Sequence, residues 1–367
     1  MTIKICIGTK KGAFILTATQ NRNDWKLSEP IYFGNVIYHF VCDKRNPNRM
    51  LIAAKTGHLG PTVFISNDRG ISWNESKQPP RFSGEKTVNF IFWLTPGHAS
   101  ETDVWYAGTS PQGLFKTEDG GQTWDEVLSF SQNELIRQIT ENNEGTPIGP
   151  LLHSINVDPR DKNHICLAMS TGGFIETKDG GQTWGAFNKN VLADFLPTPY
   201  PDWGQCVHNL QQHPGNPDIY YQQGHCGVYK VNLETDNEWT RIGENIPKEI
   251  GDIGFPLILH PMDENKLWVV PMDGTDVWPR TSVNGKPALY HSDDGGSTWL
   301  RQDKGFPTEN AWFTVMRQAT AHDNQSSLGL YVGTKAGELW ASFDEGNEWR
   351  CITRHLPEIY SIEILSD

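Results

Sequence analysis

Ser292-Asp293-Asp294-Gly295-Gly296-Ser297-Thr298-Trp299 is one copy of an octet, Ser/Thr-x-Asp-x-Gly-x-x-Trp, that returns along the whole chain. Full copies also run from Ser66 to Trp73, Thr117 to Trp124, Thr177 to Trp184 and Ser342 to Trp349. The copy ending at Trp239 is degraded, with Asn232, Glu234 and Asp236 at its Ser, Asp and Gly positions, and near Trp25 only the tryptophan remains. Seven units result, spaced roughly 50 to 60 residues apart, a period that signals a stacked repeat array rather than separate domains. Within the octet, the Asp and Ser side chains accept hydrogen bonds from their own turn, Gly supplies a positive φ, and the Trp ring buries itself beside the turn. Each copy predicts a self-contained hairpin clasp.

The octet is similar to the Asp-box, or bacterial neuraminidase repeat. That resemblance covers nearly all of the chain and links it to sialidases, two-carboxylate xyloglucanases, sortilin-type receptors and the photosystem II assembly propeller. Their jobs differ, so the resemblance implies a fold rather than a function. It implies a β-propeller in which the box sits on an outer turn, away from any ligand site.

Composition agrees with an all-β chain. The 367 residues are 37% hydrophobic and 11% aromatic, with 35 Gly and 23 Pro, and short β-rich runs end repeatedly in Gly, Asn, Asp or Pro. The net charge of −13, without a basic run, argues against nucleic acid or an anionic membrane as partner. Residues Met1 to Thr9 read as a strand rather than a signal peptide. No apolar run approaches the roughly 20 residues of a membrane span. The six cysteines lack disulfide-scaffold spacing, so free thiols and a cytoplasmic location are expected.

Each unit reads as four antiparallel strands. The fourth runs Leu151 to Val157, turn Asp158-Pro159-Arg160-Asp161, strand Ile165 to Met169, loop Ser170 to Gly173, then Phe174 to Thr177. Equivalent inner strands begin near Val36, Val88, Cys206, Phe255 and Phe313. The expected fold is a single seven-bladed β-propeller domain over 1–367. Its blades fall at about 1–34 plus 358–367, 35–86, 87–149, 150–204, 205–251, 252–311 and 312–357. The first unit lacks an inner strand and the chain ends with a spare one, Ile359 to Leu365, which is expected to close the ring in blade one.

Antiparallel connection puts the first-to-second strand turns and the Asp-boxes on one face. The other face receives the irregular segments Gln78 to Lys86, Ser129 to Pro150, Leu192 to Gln205, Pro271 to Pro287 and Lys304 to Ala311. Long loops on an economical scaffold point to function. On that face fall His153 and His208, at matching positions of adjacent inner strands, with His225 and His58 on second-to-third strand loops and His39 on an inner strand. His153, His208 and His225 are candidate ligands for a divalent transition metal, zinc or copper, with Cys206 and Cys226 as thiolate donors. His98, His260 and His322 read as turn residues.

The same face carries Glu85, Asp202, Asp252, Asp273 and Asp276, with Arg280 and Arg317 as anion clamps and Trp203, Trp278 and Trp312 as stacking platforms. Glycosidic cleavage needs two carboxylates roughly 5 to 10 Å apart, and aromatic planes suit sugar rings. The catalytic candidates are His153, His208, Asp202 and Asp252; the ligand-binding candidates are His39, His58, Glu85, Trp203, Arg280 and Arg317.

A sialidase reading fails residue by residue. Sialidases resembling this repeat pattern grip a carboxylate with three arginines, the first in an Arg-Ile-Pro motif, whereas Arg45-Asn46-Pro47 here lies in a turn on the opposite face. The chain more closely resembles bacterial Asp-box proteins labelled glycosyl hydrolase or exo-sialidase. The resembling phrases are Gly8-Thr9-Lys10-Lys11-Gly12-Ala13-Phe14, Gly60-Pro61-Thr62-Val63, Gly204-Gln205-Cys206-Val207-His208, His225-Cys226-Gly227-Val228-Tyr229 and Gly254-Phe255-Pro256. Two functions follow as expectations: a hydrolase-like enzyme for a small polar or carbohydrate substrate, or a non-catalytic propeller holding a protein or glycan partner. The expected closure also predicts that deleting residues 358–367 destabilises the whole molecule, read as a lowered thermal midpoint with loss of cooperativity.

Overall fold

The computed structural model describes residues 2–141, 150–274 and 280–366. Its strands form seven four-stranded antiparallel sheets, and the chain is a seven-bladed β-propeller. In six sheets the strands follow chain order from one edge to the other; in the remaining sheet the order is Ile359–Ser366, Thr2–Thr9, Gly12–Thr19 and Lys26–Leu27. The C-terminal strand thus supplies the strand that the first unit lacks. By contact density the chain divides into two compact units, residues 1–187 and 188–366.

In several sheets the second strand is covered on both faces. Trp105–Ser110, Ile165–Met169 and Leu267–Pro271 are buried at every position. A strand covered on both faces reads as a continuous apolar run instead of an alternation. In the first unit, one core joins Val41, Leu51 and Ile65 of the second sheet to Ile91, Trp105 and Phe115 of the third. In the second unit, Tyr221, Val228, Leu257, Leu267 and Trp299 form the corresponding core. Burying each such side chain contributes about 1.5–3 kcal/mol.

The Asp-boxes connect third to fourth strands and repeat one hydrogen-bond scheme. In Thr177–Trp184, Thr177 Oγ1 donates to Asp179 Oδ1 at 2.8 Å and accepts the Gly181 N–H at 2.9 Å. Asp179 also accepts from the N–H of Gln182 and of Thr183, both at 2.9 Å, and from Thr183 Oγ1 at 2.6 Å. The Trp184 indole N–H closes the turn on the Gly181 carbonyl at 3.2 Å. Hydrogen bonds led by those from Thr183 hold the Asp179 carboxyl down at about 2, and those led by Ser72 do the same for Asp68. Three copies vary the scheme, and in Ser342–Trp349 the buried Trp349 indole N–H has no hydrogen-bond partner among the described residues. Trp299 donates to the Ile242 carbonyl at 3.0 Å, and in the degraded copy Asp236 Oδ2 accepts the Asn232 N–H at 2.8 Å.

The structure departs from the sequence reading in two places. Ser129–Pro150 is not simply a loop: helices span Leu128–Ser131 and Glu134–Glu141. Asn133 Oδ1 accepts the Leu135 N–H at 3.0 Å, as a cap does, while Ile136 and Ile139 are buried. The inner strand of the last sheet begins at Thr320 rather than near Phe313. The residues before it bond to another loop instead: Ser282 N–H donates to the Phe313 carbonyl at 2.8 Å and Thr314 Oγ1 to the Arg280 carbonyl at 2.9 Å.

In the third sheet's box, burial pushes the Asp119 carboxyl up, but hydrogen bonds from Thr123, Thr117 and Gln122 outweigh it and lower its pKa. Replacing Asp119 by Ala is expected to cost about 1 kcal/mol, the scale of a lost capping carboxylate on an exposed turn, measured by urea unfolding.

Candidate functional site

A β-bulge interrupts the inner strand of five sheets, at Ile37/His39, Ile91/Trp93, His153/Asn156, Val207/Asn209 and Gly254/Leu257. Bulges re-aim side chains and occur beside active sites. His208 is itself the extra residue of its bulge, between the pairs Val207 with Gly224 and Asn209 with Gln223. His153, which the sequence alignment matched to His208, instead pairs in register with Ala168, and the bulge follows it at Ser154, whose φ is 50°.

In the second unit the bulge builds a cluster. Gly224 pairs with Gly227, leaving His225 and Cys226 as a two-residue turn, and the His225 N–H donates to the Cys206 carbonyl at 2.9 Å. This brings one donor atom each from Cys206, His208 and His225 within 4.8 Å of one another. His208 Nδ1 lies 2.6 Å from the Gly254 carbonyl. A carbonyl only accepts, so Nδ1 carries a proton, and in the neutral ring this is the tautomer that metal-ligating histidines show. Of the two cysteines, Cys206 belongs to the cluster. Cys226 does not: its thiol donates to Asp194 Oδ1 at 3.1 Å, and burial, with Asp194 beside it, pushes it up to about 12.

Two buried guanidiniums flank the cluster. Arg280 Nη2 stands 3.4 Å from His225 Nε2, and Nη1 donates to the Asp273 carbonyl at 3.0 Å. Arg317 stacks over Phe255, with 5.0 Å from its guanidinium carbon to the ring centroid. Burial lowers its pKa to about 10 while Cys206 pulls it back up. Phe195, 44% exposed, meets the His225 ring edge-on at 5.3 Å. The result is a thiol and two imidazoles among positive charge, with an aromatic surface at the rim.

The remaining candidates have other surroundings. Asp252 is gripped by Arg241 through two hydrogen bonds of 3.0 and 2.9 Å. Asp202 is exposed, and Trp203 is half-buried. In the first unit, His153 is buried with Nδ1 2.9 Å from Ser154 Oγ and its ring near Phe92 and Trp93. His58 and Glu85 are exposed on loops there. His39 is buried and its Nδ1 accepts the Leu94 N–H at 2.9 Å, a strand-to-strand tie. Trp312 is 60% exposed, and Asp276 and Trp278 lie outside the described residues. All six cysteines are free thiols, and among the described residues no helix is long and apolar enough to cross a membrane.

No protein-family model matches the chain. It is 25% identical over 342 residues to an oligoxyloglucan-reducing end-specific xyloglucanase of Emericella nidulans, covering 84% of this chain and 38% of that protein. It is 24% identical over 335 residues to a xyloglucanase of a Paenibacillus species, covering 82% of this chain and 31% of that one. Among solved structures, the GH74 xyloglucanase of Xanthomonas campestris superposes with a TM-score of 0.66 at 17% identity, over 95% of this chain and 52% of that chain. The chain therefore has xyloglucanase relatives, and it spans 31–38% of the length of these two curated ones. The superposition shows the shared propeller fold.

His39 carries a pH signature. Burial lowers its pKa from 6.5 to about 3, so the unfolded chain takes up a proton that the folded one refuses. Its contribution is complete above pH 6.5 and is lost as pH falls towards 3, with a slope approaching about 1.4 kcal/mol per pH unit. His39→Gln, which retains an acceptor for Leu94, is expected to flatten the acid limb of stability measured by urea unfolding across that range.

Proposed function

We propose that this propeller is a carbohydrate-directed hydrolase whose chemistry centres on a zinc ion held by Cys206, His208 and His225. The observation that carries the reading is the convergence of these three donor atoms within 4.8 Å, with His208 locked by the Gly254 carbonyl in the ligating tautomer. A zinc ion held by these three residues would supply a water activated to ionise at about pH 7. His225 Nε2 accepts from Arg280 when no metal is present, because guanidinium has no lone pair to offer. Metal and guanidinium therefore compete for that ring, and a displaced Arg280 would remain beside the substrate.

The neighbouring charges suit attack on a carbonyl carbon. Glycoside cleavage requires one protonated and one ionised carboxyl at roughly 5–10 Å. Here Asp252 is tied to Arg241 and Asp194 accepts from Cys226, so the nearby acids are already engaged. Arg280 and Arg317 are placed instead to stabilise an oxyanion or hold an anionic group. A sugar ester or sugar lactone fits, with its ring on Phe195, whose segment also exposes Tyr200. The xyloglucanase relatives support the carbohydrate class. These same exposed aromatics favour a second reading, a glycan-binding propeller without turnover.

Metal content and hydrolysis of sugar lactones and esters test the proposal together. The wild-type protein is expected to carry zinc at this site, and Cys206→Ser and His208→Ala each to lose one equivalent with at least a tenfold loss of hydrolysis. Unchanged metal content and turnover in both folded variants would overturn the zinc centre. Zinc with saturable sugar binding and no turnover would establish the second reading.

A further inference from the structure

A second cluster lies in the first unit, where the sequence showed no metal signature. His164 stands just before the strand Ile165–Met169, Cys166 is in that strand, and Glu176 is directly opposite Cys166 on Gly173–Thr177. His164 Nε2 is 3.2 Å from Glu176 Oε2 and 3.3 Å from Cys166 Sγ. On the other side of the ring, Nδ1 is 3.1 Å from Asp158 Oδ2. Asp158 is itself held by Arg160 through a hydrogen bond of 3.0 Å from Nε and one of 2.8 Å from Nη2.

The arrangement is over-subscribed at one atom. Nε2 has either one proton or one lone pair to offer, whereas a carboxylate and a thiol both face it. With a proton on Nε2, the ring donates to Glu176 and the thiol proton must be directed away from the ring. With a lone pair there, it accepts from Cys166 and repels the carboxylate. A divalent cation in place of the proton satisfies imidazole, thiolate and carboxylate at once. Tetrahedral zinc with ordinary bond lengths separates N from O by about 3.4 Å and N from S by about 3.6 Å. The separations here are a few tenths of an ångström shorter.

We propose that His164, Cys166 and Glu176 ligate zinc, with Asp158 orienting the histidine from behind. This is the carboxylate–histidine–metal relay that fixes ring orientation and raises ligand basicity. The fourth position belongs to water, since His164 and Glu176 retain 14% and 20% side-chain exposure. The ion would tie the turn after the inner strand to the two central strands of its sheet, a structural role separate from the Cys206 cluster. Its competitor is the Lys178 ammonium, 3.3 Å from Glu176 Oε1. A thiol ligates zinc as thiolate, so binding releases a proton.

The test uses the full chain carrying Cys206→Ser, which removes the other cluster's thiolate, stripped with chelator and titrated with cobalt(II) and then zinc. One cobalt(II) is expected to bind with a thiolate charge-transfer band and tetrahedral ligand-field absorption, and zinc to displace it. Adding Cys166→Ser should abolish the band, and adding the partly exposed Glu176→Gln should weaken zinc binding at least tenfold while the fold, followed by circular dichroism, stays intact. Absence of the band at pH 8 in the folded Cys206→Ser protein, or its persistence after Cys166→Ser, would overturn the site. Either result is independent of whether the Cys206 cluster is catalytic.

Discussion

The carboxylate in each Asp-box is the constraint on which the rest depends. One Asp side chain gathers the hydroxyl two residues before it and backbone N–H groups ahead of it, and the Trp indole then locks over the glycine. The turn is thereby rigid without help from its neighbours, and a two-residue outer strand such as Gly185–Ala186 suffices to complete a sheet. Because each box is stabilised locally, the second-to-third strand turns at the opposite strand ends are released from folding duty. They are free to carry chemistry.

The link from fold to site is the bulge in the inner strands. At His208 the extra residue turns an imidazole out of the ladder, and at the next strand the irregularity begins at Gly254, whose carbonyl receives it. The same device has other products. Around His153 it places a buried ring beside Phe92 and Trp93, and near His39 it leaves a histidine tying two strands. Irregularities in equivalent strands thus place a histidine in a cluster with Cys206 and His225 in one sheet and leave histidines in apolar or strand-tying surroundings in others.

Electrostatics distinguishes the two cysteine–histidine clusters. Around Cys206 the charged neighbours are guanidiniums, which favour an incoming anion. Around Cys166 and His164 stand the carboxylates of Glu176 and Asp158, with Lys178 and Arg160 beyond them.

Much of this was legible in the chain itself. Five intact octets determine the hairpin clasp, their spacing determines seven sheets, and the unmatched apolar run Ile359 to Leu365 determines where the missing strand comes from. These are local or periodic properties, written in contiguous residues. The helix Glu134–Glu141 was not legible, because Ile136 and Ile139 are too few to stand out within a polar insert. Nor was the choice between Cys206 and Cys226, since both border the same turn and only the position of Asp194 separates them. His164, Cys166 and Glu176 escaped for the same reason, as strand pairing joins residues ten positions apart without any spacing motif. Sequence alone determined the architecture because each sheet repeats the same short-range bonding. Tertiary structure alone decided the chemistry, because a metal or anion site depends on where a bulge aims a side chain and which charge it then meets.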